Sequence, residues 1–303
     1  MIKEGYDKKF STALLSCSGS LGILIPPSIL MIIFGVLADV SIGKLFAAGM
    51  LPGIVLTFML MLYVHVMAKK RNYPRSPRLN LSERINVIIK NGSALSVPAL
   101  ILGGIYGGVV TPTEAAVLAT FLGLVMGFLV YKELKIKDLP RILMESAEMS
   151  SMILIILAFA YSFAFLISFH RIPDMLTQMM FNAGITPWMF LLLINVILFF
   201  AGDFMDPASI MLIFTPLIVS LGSALDINLV HLGIIVTMNL EIGLITPPVG
   251  FNLYVGSSLT GLPLYDVMKA AIPIMIVIGI ALILITYVPW ISLIIPKLIF
   301  GSV

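Results

Sequence analysis

The stretch Glu241-Ile-Gly-Leu-Ile-Thr-Pro-Pro-Val-Gly250 interrupts an apolar run over residues 229–259. Its adjacent prolines remove two amide donors and leave carbonyls one turn earlier without helical partners, while Gly243 and Gly250 widen the conformations open to the backbone. The pattern predicts a helix that stops and restarts. In lipid, irregular backbone persists only where protein buries it or where it lines a wet cavity. The interruption is therefore a candidate ion or solute site.

The same knot stands near the start of the chain, as Leu21-Gly-Ile-Leu-Ile-Pro-Pro-Ser28. A constant offset of 221 residues carries Gly22 to Gly243, Pro26 to Pro247, Pro27 to Pro248, Gly35 to Gly256 and Pro52 to Pro273. Paired interrupted helices in the two halves of a membrane protein are the best sequence-level pointer to a secondary transporter's binding site.

Composition agrees with that setting: 60% of residues are hydrophobic and 11% charged, and the mean hydropathy is +1.12. These values define a polytopic helical membrane protein, far from a soluble domain. The net charge of +3 reflects basic residues gathered in loops. There they report orientation and not an affinity for nucleic acid. A single cysteine, Cys17, excludes an internal disulfide framework, and His65, His170 and His231 are too scattered for metal-ligand spacing.

In chain order, a charged prelude leads to a first broken helix at 11–37 and a span at 45–67. The loop from His65 to Lys90 follows, with Lys69, Lys70, Arg71, Arg75, Arg78, Arg84 and Lys90 against Glu83 alone, and is cytoplasmic by the positive-inside rule. Ile85, Ile88 and Ile89 recur at helical spacing in it, which places a helix at the membrane surface. Two apolar stretches, 94–110 and 113–131, lead to a second basic loop, then come a span at 143–169 and an amphipathic segment at 172–183. Residues 188–221 are broken at Gly202-Asp-Phe-Met-Asp-Pro207 into arms of about 14 residues, too short to span at 1.5 Å per residue, hence a re-entrant hairpin with a polar tip. The broken helix at 229–259 and a last span at 267–298 complete the chain. The domain reading is the end of a first repeat (1–68), the basic loop with its surface helix (69–92), scaffold helices (93–185) and a second repeat (186–303) with its hairpin at 187–222. By that symmetry a hairpin should precede the first broken helix, where only 21 residues precede Gly22. The chain is accordingly expected to be the carboxy-terminal part of a longer permease.

Four ordered motifs carry a resemblance over essentially the whole chain. They are Gly22-Ile-Leu-Ile-Pro-Pro-Ser28, Gly104-Ile-Tyr-Gly-Gly-Val-Val-Thr-Pro-Thr-Glu-Ala-Ala116, Phe204-Met-Asp-Pro207 and Asn239-Leu-Glu-Ile-Gly-Leu-Ile-Thr-Pro-Pro-Val-Gly-Phe-Asn252. Together they resemble the large membrane subunit of tripartite ATP-independent periplasmic (TRAP) transporters. The resemblance implies an all-α membrane protein with two inverted repeats, each with a hairpin and a broken helix, moving as an elevator. It implies a multi-pass permease of the bacterial inner membrane, working with a small membrane subunit and a periplasmic substrate-binding protein. Its cargo would be an organic acid such as a C4-dicarboxylate or sialic acid, imported on a sodium gradient. Members of that family usually have more than a hundred further amino-terminal residues, including the first hairpin.

Sodium ions also suit the residues themselves, since a hard cation takes several oxygen ligands and a hairpin tip facing an unwound helix offers uncharged carbonyls. The candidate ion site comprises the tip at Gly202 with Gly243 and Thr246 on the broken helix, and Asp206 or Asn239 holding the tip in shape. Gly22 and Ile25 are the corresponding residues of the other repeat. Half-helix amino termini after Pro27 and Pro248 suit a substrate carboxylate, supplemented by Ser28 and Asn252. Asp203 and Asp206 also read as caps of the hairpin's second arm, with Pro207 in its first turn. Glu241 is costly at membrane depth unless paired or beside water, and Glu114 fits the first turn of a helix. Alternatives are a channel or a proton-coupled anion transporter or exporter of similar hairpin architecture and, from another class, an intramembrane aspartyl protease. The latter's Gly-x-Gly-Asp motif is incomplete at Phe200-Ala-Gly-Asp203, and zinc-protease, P-loop and serine-hydrolase motifs are absent.

Overall fold

A computed structural model describes residues 1–19, 21–74, 80–90 and 92–301, without the side chains of 88–90 and 93–95. The described residues are helical, and six stretches are long and apolar enough to cross a membrane. Arg75, Pro77 and Arg78 of the basic loop, and the side chains of Ile88 and Ile89, lie outside the described residues.

The chain divides into two compact units, residues 1–74 with 160–303, and residues 75–159. The first opens with α1 (Lys8–Gly19), α2 (Leu21–Leu24), α3 (Ile29–Ala38) and α4 (Ile42–Lys70). Helix α1 begins before the expected residue 11, because the Asp7 carboxylate accepts the Phe10 amide at 2.7 Å and caps it. Charge outside lipid does not end a helix; Lys9 of this first turn pairs with Asp266 at 3.0 Å.

The second unit holds α5 (Leu81–Lys90), α6 (Gly92–Tyr106), α7 (Pro112–Val125) and the first part of α8 (Leu139–Phe169). At the start of α7 the Thr111 hydroxyl accepts the Glu114 amide at 3.3 Å, and the Glu114 carboxylate accepts the Thr111 amide at 2.8 Å. That reciprocal pair is a capping box, so Glu114 closes a helix end.

The first unit resumes with α9 (Ile172–Asn182), α10 (Pro187–Gly202), α11 (Pro207–Ala224), α12 (Leu229–Gly243), α13 (Phe251–Thr260), α14 (Leu264–Tyr287) and α15 (Pro289–Phe300). The hairpin arms α10 and α11 have 16 and 18 residues, longer than the arms of about 14 read from the sequence. Helix α11 is long and apolar enough to cross a membrane. The expected single span at 267–298 is two helices. Pro289 lacks an amide and pushes Val288 to φ −122°, ψ 77°, which ends α14 and starts α15. Pro52 and Pro273, by contrast, sit inside α4 and α14 without ending them.

Both proline knots break their helices. Residues 25–28 separate α2 from α3 and residues 244–250 separate α12 from α13, and Pro26-Pro27 and Pro247-Pro248 are both cis. Shifted by 221, the starts of α1, α3 and α4 fall on 229, 250 and 263, against observed starts at Leu229, Phe251 and Leu264. At the centre lies α12, buried at every position from Val230 to Gly243 and packed by α2, α3, α4, α10, α11 and α14. A helix enclosed on every side must satisfy its polar groups within the protein.

Asn228 starts that central helix, its side-chain oxygen accepting the Val230 and His231 amides at 3.0 and 3.2 Å. Asn228→Ala is expected to cost about 1 kcal/mol of stability, the usual loss for an N-cap, seen as a lowered midpoint in thermal denaturation of the detergent-purified protein.

Candidate functional site

The carbonyls that the prolines should strand are partly recovered by tight turns. The Gly243 carbonyl accepts the Thr246 amide at 3.3 Å and the Leu244 carbonyl accepts the Asn252 amide at 3.0 Å. The Thr246 hydroxyl donates to the Ile242 carbonyl at 2.7 Å, so its proton is engaged within its own turn. Gly250 enters α13 in the left-handed region, at φ 52°, ψ 58°, where a side chain would be strained.

The tip of the α10–α11 hairpin meets this break glycine against glycine. A Cβ added at Gly243 would lie 2.7 Å from the Gly202 Cα and 2.9 Å from the Gly202 carbonyl oxygen. The reciprocal Cβ at Gly202 would lie 2.9 Å from the Gly243 Cα. Backbone thus meets backbone, and the Gly202 carbonyl is turned toward the end of α12. Gly202, Asp206, Gly243 and Asn252 border one cavity of about 410 Å³, flanked by Phe204 and Val249. Asn252 also lines a larger cavity, of about 780 Å³, with Ser11, Thr12 and Ser16 of α1.

Asp206 caps α11: one carboxylate oxygen accepts the Ala208 and Ser209 amides at 3.0 Å, and the other takes the Ser209 hydroxyl. Pro207 occupies the first turn, where its missing amide costs nothing. This carboxylate shapes the tip. Asn239 lies one turn before Gly243, wholly buried, and its amide nitrogen donates to the backbone and side-chain oxygens of Asn195 at 2.9 Å. Thr246 is also buried and borders neither cavity.

The corresponding residues of the first knot are placed differently. Gly22 is exposed, with no atom from elsewhere in the described chain within 4 Å of where its Cβ would stand, and Ile25 is 43% exposed. Pro26 is buried and Pro27 exposed, against a half-buried Pro247 and an exposed Pro248. Ser28 precedes α3, and its buried hydroxyl has no hydrogen-bond partner among the described residues. Gly22, Ile25 and Ser28 border neither cavity.

Sequence reasoning left Asp203 between a capping role and an ion contact, and it missed Asn195. Asp203, beside Gly202 at the tip, is 6% exposed, and its Oδ1 has no hydrogen-bond partner among the described residues. A carboxylate within an apolar hairpin was the available signal, but nothing in the spacing separates a buried acid from a capping one. Asn195, a lone amide in an apolar helix, gave no spacing signal at all.

Helical spans, an interrupted central helix and a hairpin sealed against the interruption by glycine define a polytopic all-α membrane protein. The sequence profile of the tripartite ATP-independent periplasmic transporter, DctM component, matches residues 1–291, and the chain belongs to that family. It is 40% identical over 297 residues to the C4-dicarboxylate TRAP transporter large permease protein DctM of Pseudomonas aeruginosa, covering 98% of this chain and 70% of that protein. It is 32% identical to the sialic acid TRAP transporter large permease protein SiaM of Vibrio cholerae, covering 98% and 69%. To the ectoine TRAP transporter large permease protein TeaC of Halomonas elongata it is 34% identical, covering 99% and 70%. The family is one of transporters and not of enzymes, which removes the aspartyl protease alternative.

The glycine contact yields a direct test. Gly243→Ala or Gly202→Ala forces backbone apart and is expected to cost about 1–3 kcal/mol of closed-tip stability, as overpacking does. Solute uptake into cells should fall sharply while the amount of permease in the membrane, measured by immunoblot, stays near that of the parent.

Proposed function

We propose that this chain is the permease of a sodium-coupled secondary importer in a bacterial inner membrane, taking an organic acid from a periplasmic binding protein and working with a small membrane subunit. The carrying observation is the Gly202–Gly243 backbone contact beside the 410 Å³ cavity. Sodium would be held by carbonyls of the tip at Gly202 and of the break around Gly243 and Thr246, with the buried Asp203 carboxylate balancing its charge. Asp206 and Asn239 hold these segments in shape. Gly22 and Ile25 are read as the corresponding ion site of the first repeat, and the coincidence of helix starts under the 221-residue shift supports that repeat. The repeats are read as inverted, the hairpin as re-entrant and the motion as that of an elevator, on the resemblance among paired broken helices.

Substrate fits the opposite end of the break. The amino terminus of α13 carries partial positive charge, and Asn252 there borders both cavities, which suits a carboxylate. Ser28, the N-cap of α3, stands at the amino terminus of the other half-helix. Relatives named for a C4-dicarboxylate, sialic acid and ectoine support small organic solutes as cargo.

The decisive measurement is uptake by the complete permease, reconstituted with its small subunit and binding protein, with sodium replaced by potassium. Uptake should stop. Uptake indifferent to the exchange overturns sodium coupling; its loss in Glu241→Gln would then assign the coupling to protons, Glu241 being wholly buried. With sodium present, Asp203→Asn is expected to raise the sodium concentration for half-maximal uptake by about tenfold or more, the scale of one lost charge-assisted contact.

A further inference from the structure

Five polar residues form a chain through the core of the first unit, joined between Thr286 and His231 by the Thr286 backbone carbonyl. Asn239 donates to Asn195 at 2.9 Å, and the Asn195 amide nitrogen donates to the Thr286 hydroxyl at 3.1 Å. The Thr286 carbonyl lies 3.1 Å from His231 Nε2, and His231 Nδ1 lies 3.2 Å from the Ser292 hydroxyl. His231, Asn239, Thr286 and Ser292 are each at most 2% exposed. The chain joins α10, α12, α14 and α15.

Chemistry fixes the direction of most of these bonds. A carbonyl only accepts, so the Asn239 group against the Asn195 backbone oxygen is the amide nitrogen, and His231 carries a proton on Nε2. In the neutral ring Nδ1 then accepts from the Ser292 hydroxyl. His231 thereby supplies a donor to one of the last carbonyls of α14, which end without helical partners where Pro289 stops the helix.

We propose that Asn195 is a positioning residue that, tied to Thr286 and through it to His231, holds the hairpin tip in register with the break in α12. The inference rests on the reading of that contact as the sodium site. Asn195 lies seven residues before Gly202 on α10, and Asn239 four residues before Gly243 on α12. At 1.5 Å per residue the amide pair stands about 10 and 6 Å back from the glycine pair. Two points of contact, one amide and one glycine, stop α10 from sliding along or turning against α12. The link to Thr286 anchors the amide point to a third helix. A carbonyl cage for a bare cation tolerates little drift, so loosening this brace weakens the ion site without touching it. In an otherwise apolar helix, the amide of Asn195 is offset by the bonds it makes to neighbouring helices.

The test uses the full permease with its small subunit and binding protein in proteoliposomes. A cysteine pair, Phe204→Cys on the tip with Val249→Cys on the break, both bordering the 410 Å³ cavity, is introduced in a Cys17→Ala background and joined by a bifunctional thiol reagent. Asn195→Ala is expected to slow cross-linking and, in the permease without the cysteine pair, to raise the sodium concentration for half-maximal uptake, each by about three- to tenfold, the consequence of one net hydrogen bond. The apparent KM for solute-loaded binding protein should move less than twofold. Thr286→Val, which keeps the shape and loses the hydroxyl, should act in the same direction, and Thr286→Ser should restore the parent values. Parental cross-linking in Asn195→Ala overturns the brace, as does slowed cross-linking with unchanged sodium half-saturation in a sodium-dependent parent. A parent that does not cross-link removes the tip contact and the proposal with it. Slowed cross-linking in a parent whose uptake ignores sodium leaves the brace standing and removes the sodium reading instead.

Discussion

A backbone carbonyl cannot be left bare in hydrocarbon, and at two places in this chain adjacent prolines remove the amides that would cover one. Each knot must be wrapped by protein or opened to water. The second is wrapped. Helix α12 is enclosed along its whole length, and tight turns recover the Gly243 and Leu244 carbonyls. The hairpin tip then closes over the break at the one spacing that only two glycines permit. Helix enclosure, turn bonding and glycine contact are successive answers to the same missing amides.

Enclosure has a consequence for the polar residues that α12 carries. Between helices in lipid the hydrophobic effect offers little net attraction, so close packing and hydrogen bonds decide which helices adhere. His231 and Asn239 reach across to α14, α15 and α10, and small residues let backbones approach. The polar groups that look expensive in the sequence are those that specify how the helices meet. Asp206 and Glu114 show the other use of a carboxylate, at a helix start, where free amides and the helix dipole favour it.

The contrast between the two knots is instructive because their sequences are so close. Gly243 touches the hairpin tip, whereas a Cβ at Gly22 would meet no other part of the described chain, although both stand four residues before a Pro-Pro pair. Glycine at such a position records that an approach is sterically permitted, and only the neighbours decide whether it is made. The same limit applies to Asp203 and Asp206, three residues apart on one tip. One is committed to two amides and the other is buried with one oxygen unbonded among the described residues, a difference set by how the tip folds back.

Composition, the two Pro-Pro knots and their constant offset were enough to define a polytopic helical protein and to locate both interruptions, because proline and glycine act on the backbone locally. The same local rules identified the α7 capping helix start at Glu114. They did not foresee the end of α14 at Val288, since Pro52 and Pro273 show that proline inside an apolar run can sit within a helix as well as end one. Nor did they foresee Asn195, whose meaning lies wholly in Asn239 and Thr286, 44 and 91 residues away. Sequence by itself determined where the helix must break, because a missing amide is a property of one residue. Tertiary structure alone decided which break is sealed and by what, because contact between distant residues depends on the packing of whole helices.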